Sequence, residues 1–380
     1  MKTRRDFLNE GLLATAGLAV GGCASAPARA PAIAGDFAWG ALLHLGTNIA
    51  GDWVPGVRNP QSAEEEAELA RAGKISYKHC HISCLRDFFS TDWTCWRQQL
   101  EGARQGGLNT VFIDVAEAYA YPGHPELWVK GSLDFDRMRQ VLAEIRGMGL
   151  EPIPKLNFST GHDQWLREYH YRLSTPEYYR VVADVIRETC KVFGGPRLFH
   201  LGFDEEVYIA MKRRQFCAIR RGDLWWKDFL YCVGEVERNG ARAMCWSDKI
   251  CGGREEFLKR MPKSVLQVPW YYGTDFSAEY LTWQPEFEKS LDWKIQRNLA
   301  ASILTLADAG YDVMPCTSNF KEDGAADAMV GFCKSRVDPA RLKGIFMSFW
   351  HKPCPEDTPM VLNGLRLFAD AKRRHYGCGK

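Results

Sequence analysis

No run of about 20 apolar residues occurs anywhere in this 380-residue chain, which excludes a polytopic membrane protein. Neither sign of charge dominates: 49 Lys and Arg stand against 47 Asp and Glu, for a formal net charge of +2. Nucleic-acid binders favour a basic face with a clear excess of positive charge, so that class has no electrostatic support. A glycine-rich phosphate loop after the first strand is missing, and so are internal repeats and any linker beyond Gly35. Apolar and aromatic residues are plentiful instead. The apolar share is 46%, too high for a disordered chain, and 13 Trp, 14 Tyr and 20 Phe can furnish both a core and a sugar-binding cleft.

The first residues read as an address. Thr3-Arg4-Arg5-Asp6-Phe7-Leu8 is a twin-arginine sequence, followed by a weakly apolar stretch from Gly11 to Gly22. Twelve residues rise only about 18 Å as a helix, well short of a hydrocarbon core of ~30 Å, so the segment is an export signal and not an anchor. That route carries folded proteins to the periplasm. Val20-Gly21-Gly22-Cys23 resembles a lipoprotein processing site that would leave a lipid on Cys23, whereas Ala24-Ser25-Ala26 and Ala28-Arg29-Ala30 offer ordinary cleavage. Residues 1–22 are therefore assigned to the signal, the Ala- and Pro-rich residues 23–36 to a tether, and residues 37–380 to one domain. Membrane contact is expected only through Cys23, in a periplasmic or membrane-anchored protein.

Twelve cysteines follow Cys23. Cys80, Cys84 and Cys95 are close enough in sequence to pair in an oxidising compartment, while Cys245, inside Ala243-Met244-Cys245-Trp246, reads as a buried thiol. His79-Cys80-His81 with Cys84 has metal-ligand residue types, but strand alternation puts Cys80 opposite the two histidines, so no zinc site is expected.

From Phe37 onward, apolar runs alternate with amphipathic segments. Strands are expected at 39–45, 110–115, 152–157, 198–203, 243–247, 265–271, 312–317 and 344–350, and helices at 135–148, 175–192, 224–239 and 291–309. Met138, Val141, Leu142 and Ile145 show the one-faced spacing. Near-continuous apolar strands bridged by helices imply a parallel sheet covered on both faces. Eight of them fit a single (β/α)8 TIM-type barrel. Asn48–Ser90 breaks the rhythm: it is either an insertion after strand one, or it contains strand one at Ile75–Ser83.

Catalytic groups of such barrels sit at the C-terminal ends of strands. The fourth strand runs into Asp204-Glu205-Glu206. Three acids in a dry cleft repel one another and some pKa must rise, as a general acid requires. Acids at a helix N-terminus would give the same pattern for structural reasons. The other strand ends contribute Asp114 and Glu117, then Asn157 and His162, then Trp246 and Asp248, then Trp270-Tyr271-Tyr272, and finally Asn319, Trp350 and His351. Aromatic walls with a few polar groups suit a sugar ring.

His200-Leu201-Gly202-Phe203-Asp204-Glu205 resembles the His-x-Gly-x-Asp-Glu signature of family 20 glycoside hydrolases, the β-N-acetylhexosaminidases. Asn109–Phe112, Lys130-Gly131-Ser132, Pro152–His162 and Cys245–Asp248 are similar to other segments of that family, so the likeness covers most of residues 105–350. It implies Glu205 as general acid/base and Asp204 as the group holding the substrate's 2-acetamido arm, whose oxygen is the nucleophile. It also implies a relay Glu117–His162–Glu205. Trp246, Trp270 and Trp350 would box the terminal sugar, with Asp248, Tyr271, Asn157 and His200 in the binding set. No metal or organic cofactor is implied.

The sequence departs from the family at several positions. Phe203 stands where a second Gly is usual, Asn157 where an Asp is common, and His351-Lys352 where an acid often grips a sugar hydroxyl. The family's strand-one Arg corresponds to Arg86 only if Ile75–Ser83 is strand one. Three readings follow: an exported retaining hydrolase of terminal β-linked N-acetylhexosamine; a barrel glycosidase with Glu117 or Glu206 as nucleophile on a sugar without the acetamide; and a lipoprotein that binds glycans without cutting them.

Overall fold

The apolar runs become eight parallel strands: β1 (Ala38–His44), β2 (Thr110–Asp114), β3 (Glu151–Lys155), β4 (Leu198–His200), β5 (Arg242–Trp246), β6 (Leu266–Val268), β7 (Cys316–Thr317) and β8 (Gly344–Ser348). The structure, a computed structural model, describes residues 37–47, 50–51, 62–72, 84–85, 87–206, 218–286 and 295–377. The signal, the tether, Ile75–Ser83, Arg86 and the His79–His81 cluster lie outside the described residues.

Strands β1 to β6 pair in sequence order, and β1 also pairs with β8, which pairs with β7. Bridges Gln267–Val313 and Trp270–Cys316 close β6 onto β7. The result is a single (β/α)8 barrel. Ala38–His44 lies between β8 and β2, with Ala41 opposite Met347 on one side and Val111 on the other, so strand one is the segment at 38–44. The strands are shorter than their apolar runs for identifiable reasons. Pro269 and Pro315 lack the N–H that would extend β6 and β7, and left-handed backbone at Gly202 and Phe203 ends β4.

Helices α1 (Trp93–Gln105), α2 (Phe135–Gly147), α3 (Pro176–Phe193), α4 (Asp223–Arg238), α5 (Arg254–Arg260), α6 (Ile295–Asp308), α7 (Ala325–Arg336) and α8 (Thr358–Tyr376) cover the outside. Their limits follow local chemistry. Thr175 caps α3 by accepting from Tyr178 N, Pro176 occupies its first turn, and Gly194 ends it at φ +76°. Val181, Val182, Val185 and Ile186 put its apolar face on the sheet.

Two cores result. The outer one lies between strands and helices, and the inner one fills the barrel with Leu42, Phe112, Ile153, Leu198, Met244, Leu266, Met314 and Phe346. Each such burial contributes about 1.5–3 kcal/mol. Gly40 belongs to the inner fit: a Cβ there would lie 2.7 Å from the Phe112 ring, which packs on Phe346. Cys95 and Cys245 are buried free thiols, so Cys95 forms no disulfide with Cys80 or Cys84. Among the described residues, no helix is long and apolar enough to cross a membrane.

Candidate active site

Backbone strain marks one end of the barrel. The six non-glycine residues with positive φ among the described residues are Ala116, Arg167, Ser174, Phe203, Glu205 and Trp350. All lie in loops that follow the C-terminal ends of β2, β3, β4 and β8. Such conformations cost about 1–3 kcal/mol each and persist where surrounding structure enforces them.

The turn after β4 concentrates the strain. Gly202, Phe203 and Glu205 have φ of +72°, +65° and +58°. A Cβ on Gly202 would sit 2.0 Å from Asn157 Oδ1, so only glycine fits. Gly202 N donates to His200 Nδ1 (3.0 Å), which assigns the imidazole proton to Nε2. We expect Gly202→Ala to cost at least ~3 kcal/mol in denaturant unfolding and to push Asn157 away from Asp204.

Because this segment turns, Asp204 and Glu205 do not face opposite sides as neighbours on an extended strand would. Both carboxylates converge on one ring nitrogen. His162 Nε2 lies 3.1 Å from Glu205 Oε2 and 3.7 Å from Asp204 Oδ2. Asp204 is buried, and its Oδ1 accepts from Asn157 Nδ2 (2.8 Å). Ser159 Oγ lies 3.0 Å from the same oxygen and 2.8 Å from Asn157 Oδ1; its single proton serves one of the two. The Glu205 side chain is 39% exposed, so of the pair it is the one that meets solvent.

A third acid stands behind them. Asp248 Oδ2 accepts from Glu205 N (2.8 Å) and Oδ1 from Trp270 Nε1 (3.4 Å). Burial, reinforced by the negative charges of Asp204 and Glu205, pushes its carboxyl up to about 7. Asp248 therefore keeps its proton well above the usual carboxylate range. That is the environment in which a carboxyl can serve as an acid.

Below the acids runs a polar row. His44, Asp114, Lys155 and His200 are the last residues of β1 to β4 and sit side by side in register. Lys155 Nζ donates to Asp114 Oδ2 at 2.7 Å, and His44 Nδ1 is 3.3 Å from the same oxygen. Burial alone would raise the Asp114 pKa, but Lys155 and His44 hold it down at about 2. Burial and then Lys155 depress His200 well below the usual imidazole range.

Aromatic rings enclose the mouth. Trp350 lies 5.9 Å from Trp246, 6.4 Å from Tyr272 and 5.8 Å from His44, and Trp270 stacks on Tyr272 at 5.1 Å. Tyr271 goes the other way, into the outer core against Phe276 and Tyr280. Alternation from Trp270 would have selected Tyr272. His200 is wholly buried against Trp246, so it supports the site from beneath.

Glu117 and Glu206 are fixed by protein partners. Glu117 is buried after β2, and its Oε1 accepts from Thr47 N (2.7 Å) and Oγ1 (2.9 Å). Of the expected relay, the His162–Glu205 contact is formed. Glu206 Oε1 accepts from Thr160 N (2.9 Å), and both its oxygens accept from Arg220. Its side chain is 2% exposed, which removes it as a nucleophile for substrate. Arg220 escapes a sequence reading, because an isolated loop residue carries no periodic signal. Among the described residues, no cluster of three or more His, Cys, Asp or Glu is arranged to hold a metal.

No protein-family model matches the chain, and no curated protein matches it by sequence. Solved structures do match by fold. The β-N-acetylhexosaminidase of family 20 from Streptomyces coelicolor A3(2) superposes with a TM-score of 0.53 at 11% identity, over 87% of this chain and 64% of that one. A mutant Streptomyces plicatus β-hexosaminidase, in complex with its product N-acetylglucosamine, gives 0.52 at 11% identity, over 88% and 64%. The chain thus spans somewhat less than two thirds of the length of these two enzymes, whose barrel fold it shares.

Proposed function

We propose that this protein is an exported retaining glycoside hydrolase that removes terminal β-linked N-acetylhexosamine by substrate-assisted catalysis. The observation that carries this reading is the unequal pair on His162. Glu205 is partly exposed and faces incoming substrate, while Asp204 is buried and oriented by Asn157, with Ser159 beside it. In this mechanism Glu205 protonates the glycosidic oxygen. Asp204 accepts from the acetamido N–H and turns the acetamido oxygen onto the anomeric carbon. The C1–O bond to the aglycone breaks as the acetamido oxygen bonds to C1, and the proton from Glu205 leaves with the aglycone. Glu205 then takes a proton from water as water opens the oxazolinium ring, so configuration is retained.

Trp246, Trp270, Tyr272 and Trp350 would wall the sugar, and Asp248 would hold Glu205 in place through its backbone N–H. Neither proposed step requires a metal or cofactor. The substrate is a glycan or glycoconjugate, and the twin-arginine signal is the basis for export. The decisive experiment compares an aryl N-acetyl-β-glucosaminide with the matching β-glucoside on the purified full chain. Cleavage of the acetamido sugar alone is expected. Failure on it, with or without glucoside cleavage, would sink the proposed activity.

A further inference from the structure

Arg220 takes no part in the proposed chemistry, yet its side chain is completely buried beside it. Nε donates to Glu206 Oε2 (3.1 Å) and Nη2 to Glu206 Oε1 (2.7 Å) and Phe158 O (2.5 Å). Nη1 reaches Asp228 Oδ2 (3.2 Å) and Tyr178 OH (3.3 Å), and the guanidinium lies 4.7 Å from the centre of the Phe203 ring. Asp228 and Tyr178 sit on α4 and α3, and the other partners belong to two loops. Phe203 and Glu206 bracket Asp204 and Glu205. Phe158 and Thr160 bracket Ser159, and His162 follows two residues later.

We propose that Arg220 and Glu206 form a clamp that sets His162 and Ser159 against Glu205 and Asp204. This makes them a positioning pair for the reaction and rests on the reading of Asp204 and Glu205 given above. Two left-handed non-glycine residues in the β4 turn, Phe203 and Glu205, would relax if nothing opposed them. A bidentate fork fixes both distance and plane, whereas an ammonium fixes a point. A buried ion pair is weak evidence for stability, since desolvation offsets most of its attraction. What this pair does supply is a link between the two loops whose side chains must meet. A displacement of about 1 Å between reacting groups can cost on the order of 100-fold in rate.

The test uses the full chain carrying Arg220→Lys or Glu206→Gln, with Arg197→Met as a control that removes the ion pair to Glu151 at the opposite end of the barrel. Two readouts are taken: kcat and KM on the aryl N-acetyl-β-glucosaminide, and the His162 ring signals in proton–nitrogen NMR spectra. In both clamp variants kcat should fall about 10- to 100-fold with KM changed less than about threefold, and the His162 signals should move. Arg197→Met should lose stability but keep kcat and the signals. Unmoved His162 signals overturn the clamp whatever the substrate, as does a kcat loss no larger than in the control. The clamp is also withdrawn if neither clamp variant folds. Moved signals in a protein whose unmutated form ignores the acetamido sugar would leave the clamp standing and remove the proposed activity.

Discussion

Glu205→Gln should lower kcat on a nitrophenyl N-acetyl-β-glucosaminide by about 10²–10⁴-fold, the usual contribution of a positioned general acid. The loss should shrink sharply on an analogue whose leaving group departs without protonation, because the first step then no longer needs the acid. Asp204→Asn should behave differently. Asp204 acts on the acetamide and not on the leaving oxygen, so its loss should be similar for good and poor leaving groups. The Asn157 bond to Oδ1 can survive in an amide oriented with its oxygen towards Nδ2, so the variant should fold. Steady-state kinetics on two leaving groups separate the roles. If both variants respond alike to leaving-group quality, the assignment is wrong even where activity is lost.

Much of the barrel was legible because two periods dominate the chain. Short β-branched and aromatic runs such as Val111–Ile113 suit strands covered on both faces, and the 3.6-residue spacing of Met138, Val141, Leu142 and Ile145 marks a helix with one buried side. Strand ends then point to the mouth, and Glu205, Asp204 and His162 lie just past them. What resisted was conformation without period. The left-handed turn at Gly202, Phe203 and Glu205 swings two neighbouring acids onto one histidine, where alternation would have separated them. Tyr271 and Tyr272 are one residue apart, which in a strand exchanges inside for outside, and it is Tyr272 that joins the inner cluster. Arg220 carries no periodic signal, because its importance lies in partners 8 to 62 residues away.

The buried charges around Arg220 support a large and specific pH effect. One cation, Arg220, contacts two anions, Glu206 and Asp228, and Asp163 is buried close by. Burial pushes the Asp163 carboxyl up to about 8; Arg220 opposes the rise and Glu206 adds to it. In the unfolded chain the same group titrates near 3.9. Between those values the folded state holds a proton that the unfolded state has lost. Stability contributed by neutral Asp163 is therefore fully present below about pH 4 and declines as pH rises towards about 8, by roughly 1.4 kcal/mol per pH unit. Asp248, lifted to about 7, adds the same sign over a shorter span, whereas Asp114, held at about 2, loses stability only as pH falls. Asp163→Asn isolates the first of these. Its Oδ1 can still accept from Gly161 N, but it has no proton to lose. Urea unfolding at several values between about pH 4 and pH 9 should show the variant gaining on the unmutated protein across that range, by several kcal/mol in all, and levelling off above about pH 8. Parallel stability curves would mean that Asp163 is already ionised in the fold and shares Arg220 with Glu206 and Asp228. Three anions would then share Arg220, with Lys249 Nζ 3.5 Å from Glu206 O as a second cation beside them, and the fork between Arg220 and Glu206 would have to hold against that competition.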